Sequence, residues 1–479
     1  MYFNKKKVLF ITAGVITLVV LAVTLALVLN MKKFKPRIEA VVSSALEMDF
    51  RIKGKMRIAF FPGFGMLLKD VSLKKGGSDV VTIEKMTLGL KLLPLMRSQI
   101  RITHVGIIRP VFSIVRFKDG MFNFETQGDS SLKMLLSVKE VSVSQGNLVF
   151  IDKPSTGKIE VSDFDLNIKN FLSDGTASAD YLKNISFTGD ARVRKLKIYD
   201  FTLTDLAMRA AGKKGRLEIN PISVNILGGT GKGNIHLDMT GSSSHYRLTC
   251  ILNRVRMANL LQQFSSEKIP QKAMEGLINL SADLTAMGKN ADEIKRSLNG
   301  NVSLNGKNLI FYNMDIDALI MKYERSQNFN LVDVGAFILA GPFGPVFTKS
   351  FNFVSLYEES RGGKGVIKKL VSDWGIKSGI AEAVDVALAS KKHRIAMKGG
   401  LNFINEQFLD VTVAALDKRG CAVFSEKIHG PFSKPQIEKE NIFKSISGSL
   451  LNPLQDAWKS IQGEECAIFY SGSVAQPKD

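Results

Sequence analysis

Three cysteines and five histidines are too few for a multi-zinc protein or a disulfide-dense scaffold in a chain of 479 residues. Acidic residues are also short. Asp and Glu total 45 against 65 Lys and Arg, a formal charge of +20, which favours an anionic partner such as nucleic acid or anionic membrane. Catalytic signatures are missing as well. None of His104, His236, His245, His393 and His429 stands in a His-x-His or His-Glu-x-x-His spacing, and there is no Gly-x-Ser-x-Gly elbow. The glycine-rich stretch Gly228 to Gly233 fails as a phosphate loop. Ile226 stands where that motif needs glycine, and Gly233 where it needs Ser or Thr. It reads instead as a hairpin turn. Carboxylates are scattered, with no pair set apart as acid and base. No catalytic residue, metal or cofactor is expected, and no enzyme. The basic residues neither cluster with aromatics nor form a zinc module, which argues against nucleic acid.

Long apolar runs are scarce too, with one exception. Val8 to Leu29 is 22 residues without a charge or a proline. As a helix it spans about 33 Å, against a bilayer core of about 30 Å. A signal peptide is the competing reading, but its apolar region is shorter and ends in a small-residue cleavage site. Here Asn30-Met31-Lys32-Lys33 follows the run, and an uncleaved anchor is expected. Lys5 to Lys7 on one side and Lys32, Lys33, Lys35 and Arg37 on the other leave orientation open. Everything after the anchor is expected on one side of one membrane, with much of the basic charge serving affinity for its anionic surface.

What is abundant is alternation. Phe34 to Glu47 has helical spacing, and then the period becomes two: Val81 and Ile83, then Met86, Leu88, Leu90 and Leu92, then Ile100 and Ile102, Phe112 and Ile114, Val141 and Val143. Ile222, Val224 and Ile226 follow, then Ile235, Leu237 and Met239, then Tyr246, Leu248, Cys250 and Leu252. Such runs, punctuated by Gly-Gly, Asp-Gly and Gly-Asn turns, predict many half-buried strands in an antiparallel sheet. Further strands are expected over 395–403 and 409–413. Asp315 to Arg325 reads as a helix, and Leu331 to Leu356 is unusually apolar. Ile442, Phe443, Ile446, Leu450, Leu454, Trp458 and Ile461 form a stripe suited to an amphipathic helix. Few long helices are available to cover the apolar sheet face. The sheet either closes into sandwiches or keeps an apolar groove for another occupant. The second alternative makes Ile222, Val224, Ile226, Ile235, Leu237, Met239, Tyr246, Leu248 and Leu252 candidates for contact with acyl chains.

The order of motifs after the anchor resembles the AsmA family of bacterial envelope proteins. Gly54, Pro62-Gly63, Lys69-Asp70-Val71, Leu93-Pro94-Leu95, Ile100-Arg101-Ile102, Ile108-Arg109-Pro110 and Asp119-Gly120 with Asn123 carry the N-terminal part. Asn225 to Gly229 with Gly231, Val255 to Leu261, Leu298-Asn299-Gly300 and Gly430-Pro431-Phe432 with Pro435 carry the rest. The resemblance implies a single-pass inner-membrane anchor with the bulk in the periplasm. It also implies a curved groove like that of bridge-type lipid-transfer proteins, phospholipid as partner, and a role in outer-membrane lipid homeostasis. An outer-membrane or periplasmic protein partner is compatible with it. The runner-up is a scaffold that modulates outer-membrane protein insertion without carrying lipid. The expected fold is mainly β: a transmembrane helix, then an extended, curved antiparallel sheet groove with a few short or amphipathic helices. The divisions are 1–33 for the tip and anchor, 34–130 for the N-terminal β region and 131–310 for the central groove. They continue with 311–360 for a helical and apolar insertion, 361–437 for a C-terminal β region and 438–479 for the amphipathic helix and tail. In the oxidising compartment so implied, Cys421 and Cys466 either pair as a disulfide or stay as two buried thiols. Cys250, in phase with its apolar neighbours, is expected to pack as a small apolar residue.

Overall fold

The computed structural model describes residues 31–59, 64–91, 102–125, 137–173, 181–199, 201–264, 274–326, 339–344, 361–440 and 467–477. The chain is mainly β, and it divides into two compact units, residues 1–215 and 216–479. The apolar run at Val8 to Leu29 and the stripe from Ile442 to Ile461 lie outside the described residues. Among the described residues no helix is long and apolar enough to cross a membrane.

The first unit opens with α1 (Met31–Leu46). Strands β1 (Asp49–Ile52), β2 (Met56–Ala59), β3 (Gly65–Lys75), β4 (Ser78–Leu90) and β5 (Ile102–Arg116) follow. Then come β6 (Ser137–Asp152), β7 (Gly157–Ser173), β8 (Ile185–Ile198) and β9 (Phe201–Lys213). β1 and β2 share one edge of β3, and β3 to β9 lie side by side in chain order. Helix α1 closes the β1 edge. Its Ile38 and Val42 pack on Phe50, Ile52, Leu68 and Val71. Its polar side reaches the outward amides of β1: Phe50 N donates to Ser43 Oγ at 2.9 Å and Ile52 N to Glu39 Oε1 at 2.8 Å. An edge whose donors are already satisfied cannot template another strand.

One pair departs from the antiparallel expectation: β5 and β6 run parallel. The chain leaves β5 through a turn at Asp119-Gly120, where Met121 N donates to Asp119 Oδ1. Asn123 then folds back, its Nδ2 donating to Ser113 O at 2.8 Å and its Oδ1 accepting from Val115 N at 3.0 Å. The connection over 117–136 exceeds the dozen or so residues a parallel crossover needs.

The second unit runs through β10 (Arg216–Ile226), β11 (Gly229–Asp238), β12 (Ser244–Arg256), α2 (Met257–Phe264), β13 (Met274–Gly288) and α3 (Ala291–Ser297). It continues with β14 (Asn299–Met314), α4 (Ile316–Ser326), β15 (Arg361–Lys377), β16 (Ile380–Ala389) and β17 (Arg394–Asn402). β18 (Gln407–Leu416), β19 (Ala422–Pro431) and β20 (Gln436–Glu440) end it. These strands form an antiparallel meander in chain order. Its main core begins at Val255 of β12 and Met257 of α2 and takes in Ile278, Leu304, Phe311, Trp374, Ile395 and Val413, buried with Ile316 and Ile320 of α4. The opposite face of β15 to β18 carries small residues, Ala387, Ala396 and Ala414. Residues 467–477 lie over it with Tyr470 and Val474 buried. Tyr470 Oη donates to Asp385, Ser473 N to Asp385 Oδ2 at 3.0 Å, and Arg394 Nη1 to Val474 O at 3.2 Å. Strands covered on both faces read as near-continuous apolar runs, as Val386-Ala387-Leu388-Ala389 does.

Candidate functional site: an open apolar sheet face

Residues paired across a ladder share a face, so the register locates the candidate side chains. In the second unit Leu217, Leu237, Tyr246 and Ala286 form one row across β10 to β13. Ile219, Ile235, Leu248 and Leu284 form the next, and Ile222, Gly233, Cys250 and Ala282 a third. Val224, Gly231, Leu252 and Leu280 form a fourth, while Ile226 stands opposite Gly229. The nine candidates from the sequence therefore lie together, except that Met239 falls one residue past β11. The reverse face is polar, with rows such as Glu218, His236, Arg247 and Thr285, and an Arg247–Asp283 ion pair at 3.1 Å.

The turn does not span Gly228 to Gly233. It is Leu227-Gly228, both with positive φ (50° and 79°), the two-residue form whose twist suits a hairpin. Gly229, Gly231 and Gly233 belong to β11 and face the apolar side. A Cβ on Gly231 would come within 2.8 Å of Val224 and 2.9 Å of Leu252. The missing side chain lets its neighbours lean over the strand.

On β10 to β12 the side chains of this face are half-buried at most, up to Leu252, over the buried Gly229 and Gly231. Leu248 is 38% exposed. The face enters the closed core at Val255 and Ile278, Leu280 to Ala286 of β13 staying half-buried, and from β14 onward it is buried.

The first unit holds a second such face, which the sequence reading did not assign. Val81, Phe112, Leu148, Val161, Leu196 and Leu203 form one row across β4 to β9. Met86, Ile107, Val143, Leu166, Ala191 and Met208 form another. The back of the sheet is polar, as in Ser142, Asn167, Asp190 and Arg209. Between the two apolar rows every strand changes phase. Leu68-Lys69-Asp70-Val71, Ile83-Glu84-Lys85-Met86, Ile107-Ile108-Arg109-Pro110 and Val161-Ser162-Asp163-Phe164 each put two residues, not one, between apolar positions. Asp70, Arg109, Gln145, Asp163 and Asp205 sit there with positive φ between 51° and 56°. Paired strands change phase opposite each other, so the ladders keep register there except between β6 and β7, and the kinks align from β3 to β9. On the apolar side, burial peaks along this crease. Val71, Pro110, Val143, Gly146 and Val193 are buried, while Phe112, Leu148, Val161 and Leu196 are only half-buried. The first unit is thus a gutter with its floor at the crease. Its outer side carries a polar ladder: Arg109 pairs with Glu84 at 3.0 Å and donates to Gln145, and Arg194 pairs with Asp163 at 2.8 Å.

Among the described residues, one cluster of titratable and hydroxyl side chains lies away from both faces. Ser390, His393 and Asp317 meet there, with His393 Nδ1 and the Ser390 hydroxyl both bonded to Asp317 Oδ1, so the imidazole and the hydroxyl share one acceptor and do not bond each other through their side chains. Burial alone would raise the Asp317 carboxyl. Hydrogen bonds from His393, Ser390 and Lys392 N outweigh it and hold the carboxyl below its ordinary range.

Among the described residues, fold and faces together define a β-sheet protein in which stretches of apolar sheet face stay half-buried in each of its two units. The chain belongs to the AsmA family, which it matches over residues 2–171 and 160–334. The matched stretch takes in both open faces and stops before β15. No curated protein and no solved structure matches it.

Proposed function

We propose that the open apolar faces hold the acyl chains of phospholipid, and that the protein guides lipid between the membranes of a bacterial envelope. In this reading Val8 to Leu29 anchors it in the inner membrane and the remainder stands in the periplasm. It does no covalent chemistry. The observation that supports the reading is that, within each unit, apolar rows follow strand after strand, half-buried on one side of the sheet and backed by a polar side. A contiguous apolar surface of this kind marks a binding face. Each methylene it withdraws from water contributes about 0.8 kcal/mol. Membership of the AsmA family and the +20 charge support an envelope role beside anionic lipid.

Val224→Asp and Leu237→Glu test it. On an open face water reaches the carboxylate, so both variants should melt and express near-normally and carry less co-purifying phospholipid by mass spectrometry. The control is Val413→Asp, in the closed core, where a carboxylate costs several kcal/mol and should unfold the unit. Absence of phospholipid from the wild type would leave the scaffold reading in its place. For the orientation, alkaline phosphatase fused after Asp479 should be active. An inactive fusion, with a cytoplasmic reporter active at the same point, reverses it.

A further inference from the structure

The open face of the second unit ends where the chain covers it with its own residues. The row of Val224, Gly231, Leu252 and Leu280 continues to Leu304 on β14 and Ser372 on β15. There Leu339 to Gly344 is seated. Ser372 Oγ donates to Leu339 O at 2.6 Å and accepts from Trp374 Nε1 at 2.8 Å, so both of its roles are filled. Phe343 stands edge-on to Trp374 with ring centroids 5.3 Å apart, and 5.2 Å from Phe403. Leu339 and Ala340 are fully buried. Gly341 has φ +52°, and a Cβ there would come within 2.6 Å of Ser372 Oγ. The seat and the segment are cut for each other.

The sequence of this segment, Leu-Ala-Gly-Pro-Phe-Gly, has no charge and no side chain that hydrogen-bonds. It is the kind of occupant the same rows would accept from outside. We infer that Leu339 to Gly344 is an end stop. It takes, on β14 and β15, the place an acyl chain takes on β10 to β12, and it keeps lipid off β14 to β19. The inference rests on the lipid reading above.

The test uses the full chain with the photoreactive residue p-benzoylphenylalanine at one position at a time, irradiated in membranes before purification. Leu196 and Leu248 report the open faces. Phe403 reports the stop, and Phe424, packed against the same core from β19, the region beyond it. Phospholipid adducts by mass should form at 196 and 248 and stay at background at 403 and 424. Phe343→Ala, a change at a partly buried side chain, should raise the adduct at 403. Wild-type adducts at 424 as strong as those at 248 would overturn the stop and leave the lipid reading standing, as would a folded Phe343→Ala chain with no gain at 403. Adducts at none of the positions would overturn both. If Phe343→Ala does not fold, the comparison of 248 with 424 in the native background decides.

Discussion

Single residues report on these faces without being catalytic. Cys250 lies in an apolar row between Gly233 and Ala282, and it is free. Burial raises its thiol above the usual range despite a hydrogen bond with the Ala282 backbone. It therefore carries little thiolate at neutral pH and reacts slowly. If acyl chains cover it, N-ethylmaleimide should modify Cys250 faster once lipid is stripped. Equal rates before and after stripping would take lipid off this row. Cys421 is disulfide-bonded, and its backbone pairs antiparallel with that of Ile468 in an isolated β-bridge. We propose Cys466, outside the described residues, as its partner. Peptide mapping without reductant should find the two joined, and alkylation of both cysteines would end the idea. Asp317 gives a pH dependence whose sign follows from its lowered pKa. The folded state holds the carboxylate more tightly than the unfolded chain, whose value is near 3.8. Its contribution is complete above that value and is lost as pH falls through the folded pKa. Asp317→Asn should therefore melt below the wild type at neutral pH, with the gap narrowing in acid. A gap that widens in acid would show the sign to be wrong.

The crease is the element-scale feature, and two kinds of residue bear on it unequally. Its outer ion pairs are exposed, Arg109 and Glu84 by 58% and 53%, and exposed pairs contribute about 0–1 kcal/mol. The inner side is tighter. A Cβ on Gly146 would come within 2.5 Å of the Phe164 ring, which leans over β6 toward Phe112 at 6.2 Å between centroids. Gly146→Val should cost about 1–3 kcal/mol through overpacking, and Arg109→Ala close to nothing. Equal losses in urea unfolding would show that the ion pairs shape the bend. The crease was not found in the sequence, although a trace of it is there. Val81 and Ile83 alternate, Met86 and Leu88 alternate, and two residues rather than one separate Ile83 from Met86. Single strands show the slip, but only the register shows that seven slips align. The parallel β5–β6 pair was not legible, because its cause is a return through Asn123 that leaves no periodic trace.

At the scale of the molecule, the choice between closed sandwich and open groove has a divided answer. β4 to β9, and separately β10 to β12, keep a half-buried apolar side. β14 to β19 close over a core that Val255, Met274 and Ile278 join. Alternation could not separate the two, since Leu248 on the open side and Leu401 in the core follow the same period. Covering depends on distant residues such as Phe343 and Tyr470. The helices at 34–47 and 315–325 were legible from spacing, whereas the alanines beneath 467–477 gave no sign of what they receive. The charge belongs to this scale too. A net +20 should draw the full chain to vesicles containing phosphatidylglycerol rather than to neutral ones. That binding should weaken steeply as salt shortens the screening length. Binding that ignores salt would mean the charge serves another end.

Because each strand from β3 to β9 carries its own kink, the bend is inherited piecemeal. A duplicated hairpin would arrive with two kinks already in line and lengthen the trough by about 10 Å while leaving its cross-section unchanged. Deleting one residue inside a strand would do the opposite, turning half of that strand's greasy side chains outward. Descent should therefore tolerate changes of length in whole hairpins and purge single-residue gaps within them, so that the reach of the trough is counted in hairpins.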